Sequence, residues 1–228
     1  MFILYDGPSA SDNKPIVVIA TKNSKNDKTG DMWQTWIMRS DIEPHLAIKT
    51  GEDFSVCGNC PLRPSQYKAN GLSKPCYVRT FHAPLSVFRA YKRGSYKTIT
   101  AGSFRKLLNG NSIRLGSYGD PGSLPYEFWK AIGIGSGEFK HTAYTHAWLL
   151  PNFDPRLLEF CMVSIDPVSQ TSTHIPAGRW FRVVNDTSEL QTNEIICPET
   201  TIGIQCADCG LCAGSNHKAK NIAIVIHR

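Results

Sequence analysis

The sequence predicts an α/β fold in the form of a partial β/α barrel, with a β-rich extension before it and a cysteine-rich segment after it. Apolar, β-branched runs alternate with helical segments between residues 112 and 184, and such alternation builds parallel strands joined by right-handed crossovers. Seven of the eight cysteines fall into two groups, a pattern typical of metal sites. At 228 residues we expect one compact domain. Its parts are expected to be a β-rich segment at 1–51, the barrel with the first cysteine group at 52–190, and a cysteine-rich segment with a closing strand at 191–228.

The N-terminal part is predicted to be built on two strands. Residues 15–20 form a β-branched run and residues 32–38 alternate in part, and both patterns favour strands. The polar stretch 23–31 between them predicts a turn or hairpin loop. Asp41 is expected to cap a short helix that ends near Gly51.

The central part is predicted to begin with two helices and then to alternate. Pro84 near a first turn and Gly94 past the end predict a helix over 83–91. Ser103 is expected to cap a second helix over 104–108. The units that follow are strands at 112–115, 141–147, 161–166, 180–184 and 222–226, helices at 126–132 and 155–160, and a helix or turn reaching Gly178.

Polar residues follow three of these predicted strands, at the end where parallel β/α folds carry their chemistry. We therefore expect them to lie together around the open carboxyl end of the predicted barrel, which is called the mouth below. Other interpretations stay open, because Gly-Asp-Pro makes a plain turn, a histidine can be satisfied within a core, and an aspartate can cap a helix. The residues are Gly119, Asp120, Pro121, Tyr144, Thr145, His146, Ser164 and Asp166.

The last quarter of the chain carries a dense run of thiols. Cys197-Pro198 precedes Cys206, Cys209 and Cys212, which have C-x2-C-x2-C spacing. Thiolates are strong, soft ligands, and two intervening residues let a tight turn direct neighbouring thiols at one ion or cluster. The run is similar to the ligand set of a ferredoxin-type 4Fe–4S cluster, although here the Cys-Pro comes first. The sequence predicts a 4Fe–4S cluster, with zinc as the alternative.

An earlier group, Cys57, Cys60 and Cys76, has C-x2-C-x15-C spacing. Three local thiols leave one ligand to come from elsewhere. Three protein ligands with an open position form a reactive metal site, whereas a distant fourth protein ligand forms a structural zinc site. The candidates for the fourth ligand are Cys161, His82, His146 and a non-protein molecule.

The net charge of +6 is unevenly distributed, because residues 54–119 contain no Asp or Glu. Aromatic residues are interleaved with the basic ones, and this pattern favours binding of phosphates by charge and of bases by stacking. The alternative is a solvated basic face whose field stabilises anionic thiolate clusters. The candidate nucleic-acid contacts are Arg89, Lys92, Arg93, Lys97, Arg105 and Lys106.

Targeting signals are not expected. The first residues lack a basic start and a long apolar core, and the longest apolar runs are far shorter than the roughly 20 residues that span a bilayer. Eight cysteines in a chain without a secretory signal favour reduced thiols and metal over disulfides. We therefore expect a cytoplasmic protein without a membrane partner.

The order of these motifs resembles that of the radical S-adenosylmethionine superfamily. The group Cys57, Cys60 and Cys76 stands in the position of its three-cysteine loop, although the usual spacing there is C-x3-C-x2-C. Gly119-Asp120-Pro121 stands where that superfamily has Gly-Glu-Pro. The sequence Ser164-Ile165-Asp166 matches a later strand end of the superfamily.

This resemblance implies a partial barrel with a 4Fe–4S cluster that has one open iron and binds S-adenosylmethionine. Gly119 and Asp120 would receive the amine of the cofactor. The C-terminal thiols would hold an auxiliary cluster. The remaining residues that the resemblance assigns to the cofactor and substrate side are Ser164, Asp166, Tyr144 and His146.

The whole chain also resembles a phage-encoded family, the mycobacteriophage gene-product-88-like group. The match is carried by residues 26–30, 57–61, 76–77 and 119–120 and by the C-terminal cysteines. It implies a viral or prophage origin and action in the cytoplasm of a bacterial host, without an assigned activity.

Three functions follow as hypotheses. The first is a radical-type iron–sulfur enzyme, or a degenerate relative, acting on a small molecule or nucleic acid. The second is a non-catalytic, metal-stabilised protein that binds nucleic acid for phage replication or host takeover. The third is an interaction protein that blocks a host factor.

Overall fold

The computed structural model describes residues 1–22, 26–72, 75–167, 169 and 174–226. The strands are β1 (Phe2–Pro8), β2 (Pro15–Thr21), β3 (Trp33–Arg39), β4 (Lys97–Thr98), β5 (Ile113–Tyr118), β6 (His141–Thr142), β7 (Tyr144–Thr145), β8 (Met162–Ile165), β9 (Trp180–Val184), β10 (Glu194–Ile196) and β11 (Asn221–Val225). The α-helices are α1 (Pro44–Thr50), α2 (Phe54–Cys57), α3 (Ala83–Lys92), α4 (Ala101–Leu108), α5 (Tyr126–Ile132), α6 (Pro198–Ile202) and α7 (Cys206–Cys209). Short 3-10 helices occupy Pro121–Ser123, Ala147–Leu149, Pro155–Glu159 and Thr187–Glu189.

The strands form two sheets. The first has the order β4-β1-β2-β3-β5-β6, and the second has the order β10-β11-β9-β8-β7. The pairs β1–β2 and β2–β3 are antiparallel, and the other neighbours are parallel. An α/β fold with parallel sheets is therefore confirmed.

The residue Ala143 separates β6 from β7 and so divides the strand predicted at 141–147. Its N–H donates to the Cys212 carbonyl at 3.0 Å, and its carbonyl accepts from the Met162 N–H at 2.9 Å. The C-terminal cysteine segment thus hydrogen-bonds the chain at the point where the two sheets meet.

The largest core surrounds β2. Its residues 16–20 are consecutive and fully buried, and because successive strand residues point to opposite faces, both faces of β2 are covered. Phe88 of α3, Phe104 of α4 and Trp129 of α5 belong to the same apolar cluster. Trp33 of β3 packs edge-on against Phe104, with ring centroids 5.2 Å apart.

Two capping predictions are wrong. Glu43, rather than Asp41, occupies the N-cap position of α1, and Asp41 instead binds Arg39 at 2.7 Å. The Thr100 side chain, rather than Ser103, caps α4 by accepting from the Ser103 N–H at 3.2 Å. Helix α1 begins later than a cap at Asp41 would require, and α4 begins earlier than a cap at Ser103 would require.

The helices are short. The longest in the described part of the chain, α3, has 10 residues, and no helix there has the length and hydropathy that a membrane crossing requires. The helix predicted at 155–160 takes the 3-10 form. The helix or turn predicted up to Gly178 falls partly on residues 168 and 170–173, which lie outside the described residues.

Candidate functional site

The first thiol site consists of Cys57, Cys60 and Cys76, and backbone bonds fix its loop. Cys57 ends α2, and the next residue, Gly58, has a φ of 53°, a conformation that favours glycine. The Cys60 N–H donates to the Cys57 carbonyl at 3.2 Å. The Cys76 N–H returns to this loop by donating to the Leu62 carbonyl at 2.7 Å.

A buried ion pair braces the loop. The guanidinium of Arg63 donates to both carboxylate oxygens of Asp53, at 3.0 Å and 2.6 Å. It also donates to the carbonyls of Gly58 at 3.2 Å and Gly51 at 2.8 Å. Such bidentate pairs are strong and geometrically specific. The Asp53–Arg63 pair therefore fixes the path of the chain that carries the first two thiols.

The three thiols lie within electrostatic reach of one another. Burial raises the pKa of Cys57 well above its usual value, and the charges of Asp53, Cys60 and Cys76 add to the rise. Burial raises the pKa of Cys76 to about 11, against a backbone hydrogen bond and the charge of Arg114. Because a bound cation reverses this preference for the protonated form, the donor set fits a metal or cluster.

Asp120 connects the end of β5 to the thiol loop. Its N–H donates to the Val56 carbonyl at 2.6 Å. Its buried carboxylate accepts from Thr145 Oγ1 at 2.7 Å, the Gly122 N–H at 2.8 Å and the His146 N–H at 2.6 Å. Burial raises the pKa of Asp120, although these bonds and the charge of His146 oppose the rise. Asp120 therefore holds the loop and the end of β7 together.

Gly119 lets β5 approach β3 closely at this end of the sheet. Its φ is 81°, and a Cβ there would lie 2.5 Å from the Ile37 carbonyl oxygen. Glycine is the residue that accepts both constraints. The Gly-Asp pair thus has a structural role, whatever it contacts in a ligand.

His146 lies between the first thiol site and the end of β8. Its Nε2 is 3.4 Å from Asp166 Oδ2, and its side chain is 16% exposed. Burial lowers the pKa of His146, but the charge of Cys60, hydrogen bonds to Asp166 and Cys60, and the charge of Asp120 outweigh it and raise the pKa well above the usual value. His146 therefore lies against Asp166 and within electrostatic reach of Cys60.

Asp166 and Ser164 end β8 and have partners of their own. The Ser169 N–H donates to Asp166 Oδ1 at 3.1 Å, and the Asp166 N–H donates to Ser169 Oγ at 2.9 Å. Each of the two side chains thus accepts a hydrogen bond from the backbone N–H of the other residue. Ser164 is buried, and its carbonyl accepts from Trp148 Nε1 at 3.0 Å.

The candidates for a fourth ligand at the first site differ in position. His146 lies close enough to Cys60 for the charge of that thiol to raise the pKa of the imidazole. Cys161 is fully buried in the apolar core, and burial raises its pKa well above the usual value. His82 is exposed, with its ring 4.6 Å from that of Phe81. His146 is therefore the candidate that lies at the site.

The hydroxyl of Tyr118 was not singled out by the sequence. Tyr118 ends β5, is 5% exposed, and its hydroxyl has no hydrogen-bond partner among the described residues. Burial raises its pKa well above the usual value, and the charges of Cys57, Asp53 and Cys76 add to the rise. A buried hydroxyl without a partner is costly, so its position beside these thiols fits a bound acceptor.

The second thiol site consists of Cys197, Cys206, Cys209 and Cys212, which line one concavity. Burial raises the pKa of Cys212 to about 12, and a hydrogen bond with Tyr144 opposes the rise. The buried Thr142 hydroxyl, which also lines the concavity, lacks a hydrogen-bond partner among the described residues. Thiols are the donor type that iron–sulfur clusters and zinc take, and the hydroxyl is a free donor beside them in the described part of the chain.

The second site is held by the hairpin loop at residues 26–30. The Cys206 N–H donates to the Lys28 carbonyl at 3.0 Å, and Gln205 Nε2 donates to the Asp27 carbonyl at 2.8 Å. Gly30 has a φ of 68°, and a Cβ there would lie 2.6 Å from Gln205 Oε1. The polar loop predicted at 23–31 thus supports the C-terminal cysteines, apart from residues 23–25, which lie outside the described residues.

All eight cysteines are free. Among the described residues, no group of three or more His, Cys, Asp or Glu side chains is arranged to hold a metal ion. Ligation of iron or zinc by either thiol site therefore stays a prediction.

The basic residues of the acid-free stretch fall into two classes. Arg89 binds Glu43 at 3.2 Å, and Arg105 binds Glu138, so acidic residues outside the stretch neutralise them. Lys92 donates to the Ser40 carbonyl at 3.3 Å. Among the predicted nucleic-acid contacts, the exposed residues that form no ion pair with an acidic side chain in the described part of the chain are Lys92, Arg93, Lys97 and Lys106.

Comparisons of the chain with protein-family models, with curated proteins and with solved structures found no match. The contacts around the first thiol site bring the predicted thiol loop and mouth residues together. The two sites also include Arg63, Tyr118 and Thr142, which the sequence did not single out.

Proposed function

We propose that this chain is an iron–sulfur protein of a fold similar to the radical S-adenosylmethionine superfamily, with a reactive first thiol site and an auxiliary second one. One observation carries the proposal: the first thiol site lies against the carboxyl ends of three parallel strands. The Asp120 N–H after β5 donates to the carbonyl of Val56, the residue before Cys57, and the His146 N–H after β7 donates to the Asp120 carboxylate. The His146 ring in turn lies 3.4 Å from Asp166 after β8. In parallel β/α folds, this end of the sheet carries the chemistry.

The order of the parallel strands supports the barrel interpretation. In the first sheet β3, β5 and β6 are parallel neighbours in chain order, and in the second sheet β7, β8 and β9 are, with β11 beside β9. The chain passes from the first sheet to the second at Ala143. The thiol loop comes after β3, the first strand of this series, and the Gly-Asp turn comes after β5, the second. The three-cysteine loop and the Gly-Glu-Pro motif of the superfamily occupy the same places.

Cys57, Cys60 and Cys76 would hold a 4Fe–4S cluster at the first site. Such a cluster supplies one-electron chemistry. An iron with an open position would bind an amine and a carboxylate, such as those of S-adenosylmethionine. Asp120 accepts three hydrogen bonds, and since a carboxylate has about four lone-pair sites, one remains for an amine. His146 and Asp166 would orient the bound molecule and hold a proton between them. Cys197, Cys206, Cys209 and Cys212 would hold the auxiliary cluster.

Anaerobic purification with iron and sulfide analysis tests the proposal. We expect brown protein with about eight irons per chain, because two four-iron clusters would be bound. Cys57→Ala should lose half of the iron and Cys209→Ala the other half. Cys161→Ala is the matched control, since this thiol is buried in the apolar core and should keep all the iron. Colourless protein with stoichiometric zinc would contradict the proposal.

Cleavage of S-adenosylmethionine is a separate experiment. Reduced, iron-loaded protein should convert the cofactor to 5′-deoxyadenosine and methionine, and Cys57→Ala should not. Loaded protein that leaves the cofactor intact would be a degenerate relative that uses the fold without the reaction.

Binding of nucleic acid is the second candidate function. It is favoured by the exposure of Arg93, Lys97 and Lys106 on a stretch without acidic residues. Binding of single-stranded DNA should then weaken steeply as salt rises, and the triple change of these residues to Gln should reduce the slope. Absent or salt-independent binding would remove this candidate.

A further inference from the structure

Arg114 lies between the two thiol sites. It belongs to β5, and its Nη2 donates to the hydroxyl of Tyr77, the residue after Cys76, at 2.7 Å. Its guanidinium carbon lies 5.9 Å from the centre of the Tyr144 ring. Tyr144 lines the same concavity as Cys206 and Cys212 of the second site. One cation therefore lies against a tyrosine that adjoins each thiol site.

One donor of Arg114 is unused in the described part of the chain. Its Nε is buried and has no hydrogen-bond partner among the described residues, although an arginine normally uses several donors. The guanidinium thus has a hydrogen-bond donor without an acceptor in the described part of the chain. It lies between the thiols of the first site and those of the second.

We infer that Arg114 is a shared cation that sets the reduction potentials of the groups bound at both thiol sites. The inference rests on the proposed iron–sulfur function and adds to it a residue that is not a ligand. Reduction brings one electron, and so one negative charge, into a cluster, without a proton or a broken bond. A fixed positive charge nearby stabilises that state, and more strongly in a poorly solvated site.

Redox titration of anaerobically purified, iron-loaded protein with dithionite, followed by electron paramagnetic resonance, tests the inference. Arg114→Gln should lower the midpoint potentials of both clusters, because the reduced forms lose a stabilising charge. Arg114→Lys should restore most of the shift, since it keeps the charge. Arg93→Gln is the matched control: it removes one charge from the exposed end of α3 and should leave both potentials unchanged.

The outcomes separate the inference from the function beneath it. Iron-loaded Arg114→Gln with one or both potentials unmoved overturns the shared role of Arg114 and leaves the iron–sulfur function standing. An equal effect of Arg93→Gln also overturns it, because the shift would then reflect net charge alone. Wild-type protein without iron overturns the proposed function, and the inference with it. Thermal unfolding of each loaded variant identifies a variant whose fold has changed, and Arg114→Lys is then the deciding comparison.

Discussion

The first thiol site lies against polar strand ends, whereas the second is lined largely by apolar residues and bound to a distant loop by its main chain. At the first, a buried ion pair and Asp120 determine where the loop runs. At the second, Ile204, Leu211 and Ile222 share the concavity with the thiols, and backbone bonds to residues 28 and 29 hold the segment. Polar surroundings that can orient a small molecule favour chemistry at the first site, and apolar surroundings favour a structural or electron-storing group at the second.

The largest effect is expected from Arg63→Met. It leaves the Asp53 carboxylate buried without its partner, which typically costs about 3–5 kcal/mol of stability. Denaturant unfolding measures the loss, and iron analysis should show the first site emptied and the second retained. Arg79→Met, at an exposed position near the same loop, should change neither. Equal loss of iron from both sites would show that the two regions are not independently supported.

The next effect concerns the buried ion pair between Arg182 and Glu194. Burial raises the pKa of Glu194, but bonds from Arg182, the Gln191 N–H and Trp180 outweigh it and hold the pKa below its usual value. The carboxylate therefore stabilises the fold above its unfolded pKa of about 4, and this stability is lost as pH falls through the lower folded value. Glu194→Gln should cost about 2 kcal/mol at pH 7.

Unfolding of metal-free protein between pH 7 and pH 3 checks that effect. The stability of Glu194→Gln should fall less on acidification than that of the wild type. Glu127→Gln, at an exposed carboxylate, should follow the wild-type curve. Parallel curves for Glu194→Gln and wild type would mean that this pair does not contribute to acid sensitivity.

A smaller effect is expected from Gly30→Ala. The φ of 68° and the contact with Gln205 Oε1 should together cost about 1–2 kcal/mol and weaken iron binding at the second site. Gly110→Ala is a matched control, because its φ is 71° and nothing lies within 4 Å of the added Cβ. The difference between the two isolates the loop contact, and equal iron content in both would mean that the contact does not support the second site.

The smallest effect, and the one with a change of sign, is expected from Tyr118→Phe. Removal of a buried hydroxyl without a partner should leave metal-free protein equally stable or up to about 1 kcal/mol more stable. In loaded protein the same change should destabilise the first cluster, since a donor to it is lost. Melting curves of both forms check this, and identical shifts in the two forms would separate Tyr118 from the bound group.

The sequence predicted the parallel part of the fold because strand and helix patterns alternate there. It missed β1, β4 and β10. The last two have two and three residues, which are too few to show the alternation of apolar and polar residues that identifies a strand. The strand predicted at 141–147 is interrupted because Ala143 bonds to Cys212 across 69 residues of sequence, and local patterns do not contain such a partner.

The thiols could be predicted because metal ligands follow short, characteristic spacings. The residues that position them could not. Arg63 resembles any surface arginine until it is found buried against Asp53, and Arg114 depends on Tyr77, which is 37 residues away. Asp120 was predicted as an amine acceptor, and most of its hydrogen-bonding capacity is used to hold the loop.

The bond between Ala143 and Cys212 also constrains how the protein is made. Domains begin to fold as they leave the ribosome, with their N-terminal parts first. Here the junction of the two sheets is closed by a residue 69 positions further along the chain. The hydrogen-bonding position at Ala143 therefore stays open during synthesis until residue 212 has been translated.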